Sequence, residues 1–168
     1  MDLGSLTPDN YTAEDVVRLL RLEPLEQEGG YFRRATEAGV ILPGTGRRAY
    51  SVIYFLITPT GFSALHRIGT DEIWCFHAGD SLEALRLSPD GSGRVERLGL
   101  NLADGESVQD IVLANFWQGA RLKHGGRWAL CSCIVAPEFR WSDFTLGDRA
   151  ELAGKYPAFA ERVISLSR

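Results

Sequence analysis

The segment HRIGTDEIWCFHAG, residues 66–79, combines turn-forming residues with side chains that can carry chemistry. His66 precedes the tripeptide Gly-Thr-Asp, and Glu72 begins a run rich in aromatic and β-prone residues. If Gly69 lies at the centre of a tight turn, His66 and Glu72 face each other across an antiparallel hairpin, with Cβ atoms about 4.5–5.5 Å apart. The segment therefore predicts an imidazole and a carboxylate that share one sheltered face.

Side chains alternate between the two faces of a strand, so Trp74 and Phe76 are expected to point the same way as Glu72. The same alternation directs His77 to the opposite face, where we expect a surface or interface residue. A mostly apolar pocket with a few converging polar groups is the usual form of a small-molecule site. A pair that only stabilises the hairpin is the alternative interpretation, because buried ion pairs also occur at purely structural positions.

The remaining pattern predicts an all-β protein with one helix at each end. The 168 residues fit a single domain, residues 1–168. Many short strands at even spacing, separated by Gly, Pro, Asp and Ser turns, are typical of an antiparallel sandwich or barrel. The expected elements are a helix at about 12–22, strands at 31–36, 49–57, 62–67, 71–77, 82–87, 94–98, 109–113, 117–122 and 127–136, all within a barrel at about 30–145, and a helix at about 148–166.

Composition narrows the classes of partner. The formal charge is −4, and lysine and arginine are scattered rather than clustered, which argues against a nucleic-acid surface. No apolar segment reaches membrane-spanning length, so we expect a cytoplasmic protein that does not contact membranes. Strand 127–136 is apolar almost throughout, which predicts cover on both faces and is consistent with a homodimer.

Two sequence motifs resemble those of the cupin superfamily. Glu72 and Gly79 have the E-x6-G spacing of the first cupin motif, and His66 stands at its second histidine with one extra residue before the glutamate. Ala64 occupies the position of the first histidine. The second motif has a weaker counterpart at 113–118, where Gln118 stands at the histidine. Two of the four usual metal ligands thus match in type.

A closer resemblance extends over almost the whole chain. Short pieces in the expected order are similar to the cupin-5 family, also called DUF985; they are EGGYFR (28–33), IYFL (53–56), HR (66–67), DEIW (71–74), LG (98–99), WQ (117–118) and VAP (135–137). The resemblance implies a cupin-type double-stranded β-helix, or jelly-roll barrel, that is dimeric and similar to sugar-nucleotide epimerase and isomerase barrels. It implies no settled activity, and fold does not determine function.

The leading hypothesis is a cupin without a tightly bound metal that binds a sugar or another small polar metabolite, with isomerase- or epimerase-like proton transfer as its candidate chemistry. His66 is the expected acid or base, Glu72 the group that orients its ring, and Tyr54 or Tyr31 the opposite proton donor. The expected ligand contacts are Tyr31, Arg33, Trp74, Phe76, Trp117 and Gln118, with the aromatic rings as stacking surfaces.

Two other hypotheses remain open. In a metal-dependent cupin enzyme, His66, Glu72 and Gln118 would hold a weakly bound divalent ion, although an amide and a single imidazole make a thin ligand set. In a non-catalytic sensor, the same pocket would bind a metabolite without changing it.

Overall fold

The computed structural model describes residues 5–168, which contain eleven β-strands and three α-helices. The strands are β1 (Glu23–Pro24), β2 (Tyr31–Glu37), β3 (Ser51–Ile57), β4 (Ser63–Arg67), β5 (Asp71–Gly79), β6 (Leu82–Leu87), β7 (Gly93–Leu98), β8 (Gln109–Val112), β9 (Trp117–Leu122), β10 (Ala129–Ala136) and β11 (Thr145–Leu146). The α-helices are α1 (Ala13–Leu20), α2 (Arg149–Lys155) and α3 (Ala160–Ser165), and short 3-10 helices span Leu102–Asp104, Trp141–Asp143 and Pro157–Phe159.

The strands form two antiparallel sheets that pack face to face. The six-stranded sheet has the order β1-β2-β3-β10-β5-β8, and the five-stranded sheet has the order β11-β4-β9-β6-β7. Within residues 5–168 no strand pairing joins the two sheets into a closed barrel. The expected all-β jelly roll is confirmed, and its two layers remain open sheets.

Three apolar clusters hold these layers together. The space between the sheets is filled from both sides by residues such as Phe55, Trp74 and Leu98. The C-terminal helices cover the outer face of the five-stranded sheet, where Leu152 and Tyr156 meet Leu65, Leu85 and Trp117. Helix α1 covers part of the outer face of the six-stranded sheet through Val16, which packs with Leu56 and Leu130. At roughly 25 cal/mol per Å² of buried apolar surface, this burial is the main force that opposes chain entropy.

The hairpin expected at residues 66–72 does not form. Strand β4 pairs with β9 and β11, whereas β5 pairs with β10 and β8 in the other sheet. The chain crosses from one sheet to the other at Gly69–Thr70 instead of folding back on itself. His66 and Glu72 therefore approach each other across the interior of the sandwich, and the predicted cross-strand pairing is wrong.

Helix α1 begins where the sequence indicates. Thr12 is its N-cap: the Asp15 backbone N–H donates to the Thr12 hydroxyl at 3.2 Å, and the Thr12 backbone N–H donates to the Asp15 carboxylate at 3.0 Å. This reciprocal pair satisfies two N–H groups that a helix start otherwise leaves free. The helix ends at Leu20, before the expected boundary, because Arg21 adopts a left-handed conformation with φ of 53°. The expected C-terminal helix is divided at Pro157 into α2 and α3.

Strand β10 is covered within its own chain over much of its length. It lies between β3 and β5; Cys131 and Cys133 face the interior cluster, and Leu130 packs under the α1 cluster. This cover explains the apolar run without a second subunit, so the homodimer stays a prediction. No helix within residues 5–168 combines the length and the apolar character needed to cross a membrane.

Candidate functional site

A cavity of about 100 Å³ opens between the two sheets and contains the histidine singled out from the sequence. His66, Glu72 and Glu28 supply titratable groups to its lining, and Arg34 supplies a guanidinium. The walls are mainly apolar, formed by Leu25, Phe32, Ile53, Val135, Phe139 and Trp141. Trp141 is 50% exposed and Arg34 is also partly exposed, so these two side chains lie at the mouth.

The His66 imidazole is buried and its orientation is fixed. Nδ1 lies 2.8 Å from the Ala64 carbonyl oxygen, which can only accept a hydrogen bond, so Nδ1 carries the proton of the neutral ring. Nε2 is left with its lone pair. The ring stacks on Phe144, with centroids 5.1 Å apart and planes 19° apart. The Ala64 carbonyl therefore orients the imidazole, a task that the sequence analysis gave to Glu72.

Burial also favours the neutral form of His66. It lowers the pKa of the imidazole, and the Arg86 charge acts in the same direction, while the Glu72 charge and the hydrogen bond to Ala64 oppose it. The ring is thus a neutral base with one free nitrogen near physiological pH.

Glu28 faces His66 across a short gap. Its Oε2 lies 3.9 Å from His66 Nε2, and its Oε1 accepts a hydrogen bond from the Ser63 hydroxyl at 2.6 Å. Burial raises the pKa of the Glu28 carboxyl to about 7, against the opposing effects of Ser63 and Arg168. The gap is too long for a direct hydrogen bond and too short to hold an atom on the line between the two groups, so a ligand hydroxyl or a water that contacts both lies to one side of that line.

The sequence analysis did not predict Glu28 as a site residue, although the two glycines that follow it indicate a close approach of the backbone to another segment. Gly29 and Gly30 have φ of +110° and +71°. A Cβ at Gly29 would lie 2.2 Å from the Phe62 carbonyl oxygen, and one at Gly30 would lie 2.8 Å from the Leu56 carbonyl oxygen. Only glycines allow so close an approach in this conformation. The two glycines thus bring the preceding carboxyl against β4.

Glu72 is held by a chain of hydrogen bonds that includes two other predicted residues. The Gln118 side-chain amide donates to Glu72 Oε2 at 2.6 Å, and Trp74 Nε1 donates to the Gln118 oxygen at 3.1 Å. Gln118 pairs with His66 in the β4–β9 register. Burial raises the pKa of Glu72 and raises that of the adjacent Cys133 thiol well above its ordinary value. Trp74 lies behind the cavity wall and supports it.

Behind this chain lies a buried ion pair. Arg86 is fully buried, and its Nε donates to Asp110 Oδ2 at 2.7 Å. Its guanidinium also lies over the Trp74 ring, 5.3 Å from the centroid. Arg86 belongs to the five-stranded sheet and Asp110 to the six-stranded sheet, so the pair ties the layers together. The sequence of β6, LEALRL, did not indicate that Arg86 is buried in an ion pair, because apolar residues occupy both faces of this strand.

Three predicted site residues lie on the outer face of the six-stranded sheet. Ile53 and Cys133 line the cavity, so their neighbours Tyr54 and Ser132 point the other way. Arg33 lies over the Tyr54 ring on that outer face, and Tyr31 packs with the α1 cluster. This corrects the expectation that Tyr31, Arg33 and Tyr54 reach the site. Phe32 and Arg34 of the same strand line the cavity instead.

The other two aromatic predictions also lie away from the cavity lining. Trp117 packs with the C-terminal helices on the outer face of the five-stranded sheet, where Arg67 lies over its ring. Phe76 is buried within the interior cluster. The predicted stacking platform of Trp74, Phe76 and Trp117 is therefore corrected, and the aromatic walls are Phe32, Phe139 and Trp141. His77 is exposed, as expected, and lies 2.6 Å from the Ser132 hydroxyl.

The predicted metal ligands do not fit a divalent ion. Both ends of the Gln118 amide are engaged, since its oxygen accepts from Trp74 and its nitrogen donates to Glu72. Ala64 stands where a further imidazole would be needed. Across residues 5–168, no three His, Cys, Asp or Glu side chains are grouped to hold a metal.

Comparison with known proteins agrees with the architecture. The chain is similar to a crystal structure of a protein from Shewanella oneidensis, with 35% identity and a TM-score of 0.86 over 94% of this chain and 98% of that one. It is also similar to a hypothetical protein from Leishmania major, with 31% identity and a TM-score of 0.85 over 94% and 99%. No curated protein matches the chain.

A more distant likeness shows the fold alone. A mutant of Bacillus subtilis oxalate decarboxylase shares 14% identity and a TM-score of 0.52, over 83% of this chain and 36% of that one. A family model described as Cupin superfamily (DUF985) matches residues 14–147. With that match over most of the chain, and with the two sheets and their cavity as described, the protein belongs to the DUF985 family of the cupin superfamily.

Proposed function

We propose that this protein binds a small polar metabolite in the cavity and transfers a proton on it, as an isomerase or epimerase does. His66 Nε2 is the base, and the Glu28 carboxyl is the acid. One observation carries the proposal: the free nitrogen of a fixed, neutral imidazole faces a carboxyl 3.9 Å away inside a largely apolar cavity. Proton transfer next to a carbonyl requires a base and an acid that both reach the same bound hydroxycarbonyl group, and His66 and Glu28 line one cavity.

The environment matches the protonation states that this chemistry needs. Burial lowers the pKa of His66 and raises the pKa of Glu28 to about 7, so base and acid coexist near neutral pH. Glu72 lies beside them and is held by Gln118. Its carboxyl is available to stabilise positive charge on His66 after the proton has moved.

The test is solvent exchange. Small hydroxyaldehydes and hydroxyketones are incubated with the protein in D₂O, and loss of the C–H signal next to the carbonyl is followed by proton NMR. We expect exchange faster than in buffer, with a loss of about 10²–10⁴-fold in His66→Gln. The matched control is His77→Gln, because His77 is exposed on the opposite face of its sheet and should leave the rate unchanged.

Two results would overturn this function. One is exchange that survives His66→Gln. The other is wild-type exchange no faster than buffer with every compound of the panel. Binding without exchange, seen as a thermal shift with those compounds, would identify a metabolite-binding module instead. A ligand at about 100 times its Kd stabilises the folded state by about 2.7 kcal/mol.

A further inference from the structure

Arg34 is the feature of the cavity that the proposed chemistry leaves unused. It pairs with Ile53 in the β2–β3 register, and both side chains line the cavity. Its side chain is 43% exposed, which puts the guanidinium at the mouth of the cavity. Its neighbour Arg33 lies on the other face of the sheet, over Tyr54. Strand β2 thus directs Arg34 to the cavity and the preceding Arg33 away from it.

The Arg34 guanidinium is only weakly engaged within the protein. Its Nη1 lies 3.5 Å from Glu37 Oε2, and both side chains are partly exposed. The same carboxylate is contacted more closely by Arg48, whose Nε lies 3.0 Å from Glu37 Oε1. Two guanidinium groups therefore share one carboxylate, so Glu37 does not fully neutralise the charge of Arg34. An exposed pair of this kind is worth about 0–1 kcal/mol, so an incoming anion can displace it.

The size of the cavity limits what it encloses. Its volume is about 100 Å³. An engineered cavity of about 150 Å³ holds benzene, so this one encloses a fragment of about three or four carbons. The depth of the cavity offers Glu28, His66 and Glu72 to hydroxyl and carbonyl groups, whereas the rim offers a cation. A short molecule that fills the interior therefore places its far end at Arg34.

We propose that the ligand is a short-chain hydroxycarbonyl compound with an anionic group, a carboxylate or a phosphate, which Arg34 binds at the mouth. The inference rests on the proposed function and specifies its substrate class. A guanidinium presents two parallel N–H donors to either anion, which makes it the better partner than an ammonium group. Phe139 and Trp141 line the same cavity and offer apolar surface to the carbon chain of such a ligand.

The test measures binding rather than turnover. Dihydroxyacetone, hydroxypyruvate and dihydroxyacetone phosphate share a hydroxymethyl ketone and differ in carrying no anion, a carboxylate or a phosphate. Their Kd values are measured by calorimetry on the full chain. We expect at least one anionic compound to bind about tenfold or more tightly than the neutral one, since a charge-assisted contact is worth more than about 1.4 kcal/mol. The two anions separate a carboxylate site from a phosphate site.

Variants assign the preference to one side chain. Arg34→Gln should abolish the anion preference, Arg34→Lys should retain part of it, and the matched control Arg33→Gln should retain all of it. Three outcomes would overturn the inference. The three compounds could bind with equal affinity, neither anionic compound could bind, or the anion preference could survive Arg34→Gln. Anion binding without deuterium exchange would uphold the ligand class and reject the proton transfer. Deuterium exchange of the neutral compounds without any preference for anions would uphold the proton transfer and reject the anionic ligand class.

Discussion

Gln118 joins the two sheets by donating a hydrogen bond of 2.6 Å to Glu72 across the interior of the sandwich. Its amide oxygen accepts from Trp74 Nε1, so each end of the amide serves a different partner. Gln118 is completely buried. Neither a carboxylate nor an aliphatic side chain can make both contacts at once, because one lacks a donor and the other lacks both groups.

Removal of the Gln118 amide should therefore destabilise the protein. We expect Gln118→Leu to lower the free energy of unfolding by about 2–4 kcal/mol, because it leaves a carboxyl and an indole N–H buried without a partner. Urea denaturation measures the change. Gln109→Leu is the matched control, since Gln109 is exposed at the β5–β8 edge and should shift stability by less than about 0.5 kcal/mol. Equal losses in the two variants would contradict this account.

The Arg86–Asp110 pair predicts that removing a buried charge lowers the free energy of unfolding much more than removing a partly exposed one. Asp110→Ala leaves the guanidinium of Arg86 buried without its counter-ion and should cost about 3–5 kcal/mol of stability. Arg94 also contacts Asp110, at 3.1 Å, but its side chain is 44% exposed. Arg94→Gln should therefore cost at most about 1 kcal/mol. Chemical denaturation of both variants tests the prediction, which fails if the two losses are similar.

Glu28 predicts a change of stability with pH. Its pKa is raised from 4.5 to about 7 in the folded protein, so the folded state retains a proton that the unfolded chain releases. Its stabilising contribution is complete below pH 4.5 and is lost as the pH rises through 7. Glu28→Gln cannot ionise, so its stability relative to wild type should increase between pH 5 and pH 8 by up to about 3 kcal/mol.

Urea unfolding at a series of pH values measures this difference. His66 has a lowered pKa and acts in the opposite direction, because the unfolded chain takes up its proton first as the pH falls. That contribution is common to both proteins and largely cancels in the comparison. Glu26→Gln, at an exposed position two residues away, should follow the wild-type curve. Parallel curves for wild type and Glu28→Gln would refute the raised pKa.

The proposed acid and base also predict a bell-shaped pH profile for deuterium exchange. Activity should fall on the acid side as His66 becomes protonated, at a pH below its ordinary 6.5. It should fall on the alkaline side near pH 7 as Glu28 loses its proton. In Glu28→Gln the alkaline limb should disappear together with most of the rate. An alkaline limb that persists in this variant would assign the acid to another group.

The conformation of Gly79 explains why the E-x6-G motif ends in glycine, and a substitution at this position tests the explanation. Its φ is +104°, and an added Cβ would lie 2.3 Å from the Trp128 carbonyl oxygen. Gly79→Ala should therefore cost about 2 kcal/mol or more, from backbone strain and overlap together. Gly154 in α2 is the matched control, because an added Cβ meets nothing within 4 Å there. Gly154→Ala should stabilise by about 0.4–1 kcal/mol, and thermal unfolding distinguishes the two signs.

The positions of the strands were predictable because they depend on local pattern. Segments 82–87 and 117–122 have the predicted bounds, and most others differ at their ends by one or two residues. Alternation and turn residues act within a few positions of each other, so a single sequence carries this information. The family resemblance likewise drew attention to His66, Glu72 and Gln118, which the structure brings to one region.

The side chains that share the cavity were harder to predict. Strand β3 is apolar on both faces, because one face meets the opposite sheet and the other meets α1. Alternation therefore could not assign Tyr54 to a face. Irregular register between Ser63 and His66 and between Leu130 and Cys131 disturbs the alternation of β4 and of the β5–β10 pair. Glu28 lies outside any long strand, and its place depends on two glycines.

The sequence alone therefore predicted the family, nine of the eleven strands within residues 5–168 and three of the polar residues around the cavity, since each rests on spacing along the chain. The folded structure assigned each strand to its sheet, turned Arg34 inward and Arg33 outward, and set Glu28 opposite His66. These features depend on hydrogen bonds and packing between segments that lie far apart in the chain, and no local pattern encodes which distant partner a strand will meet.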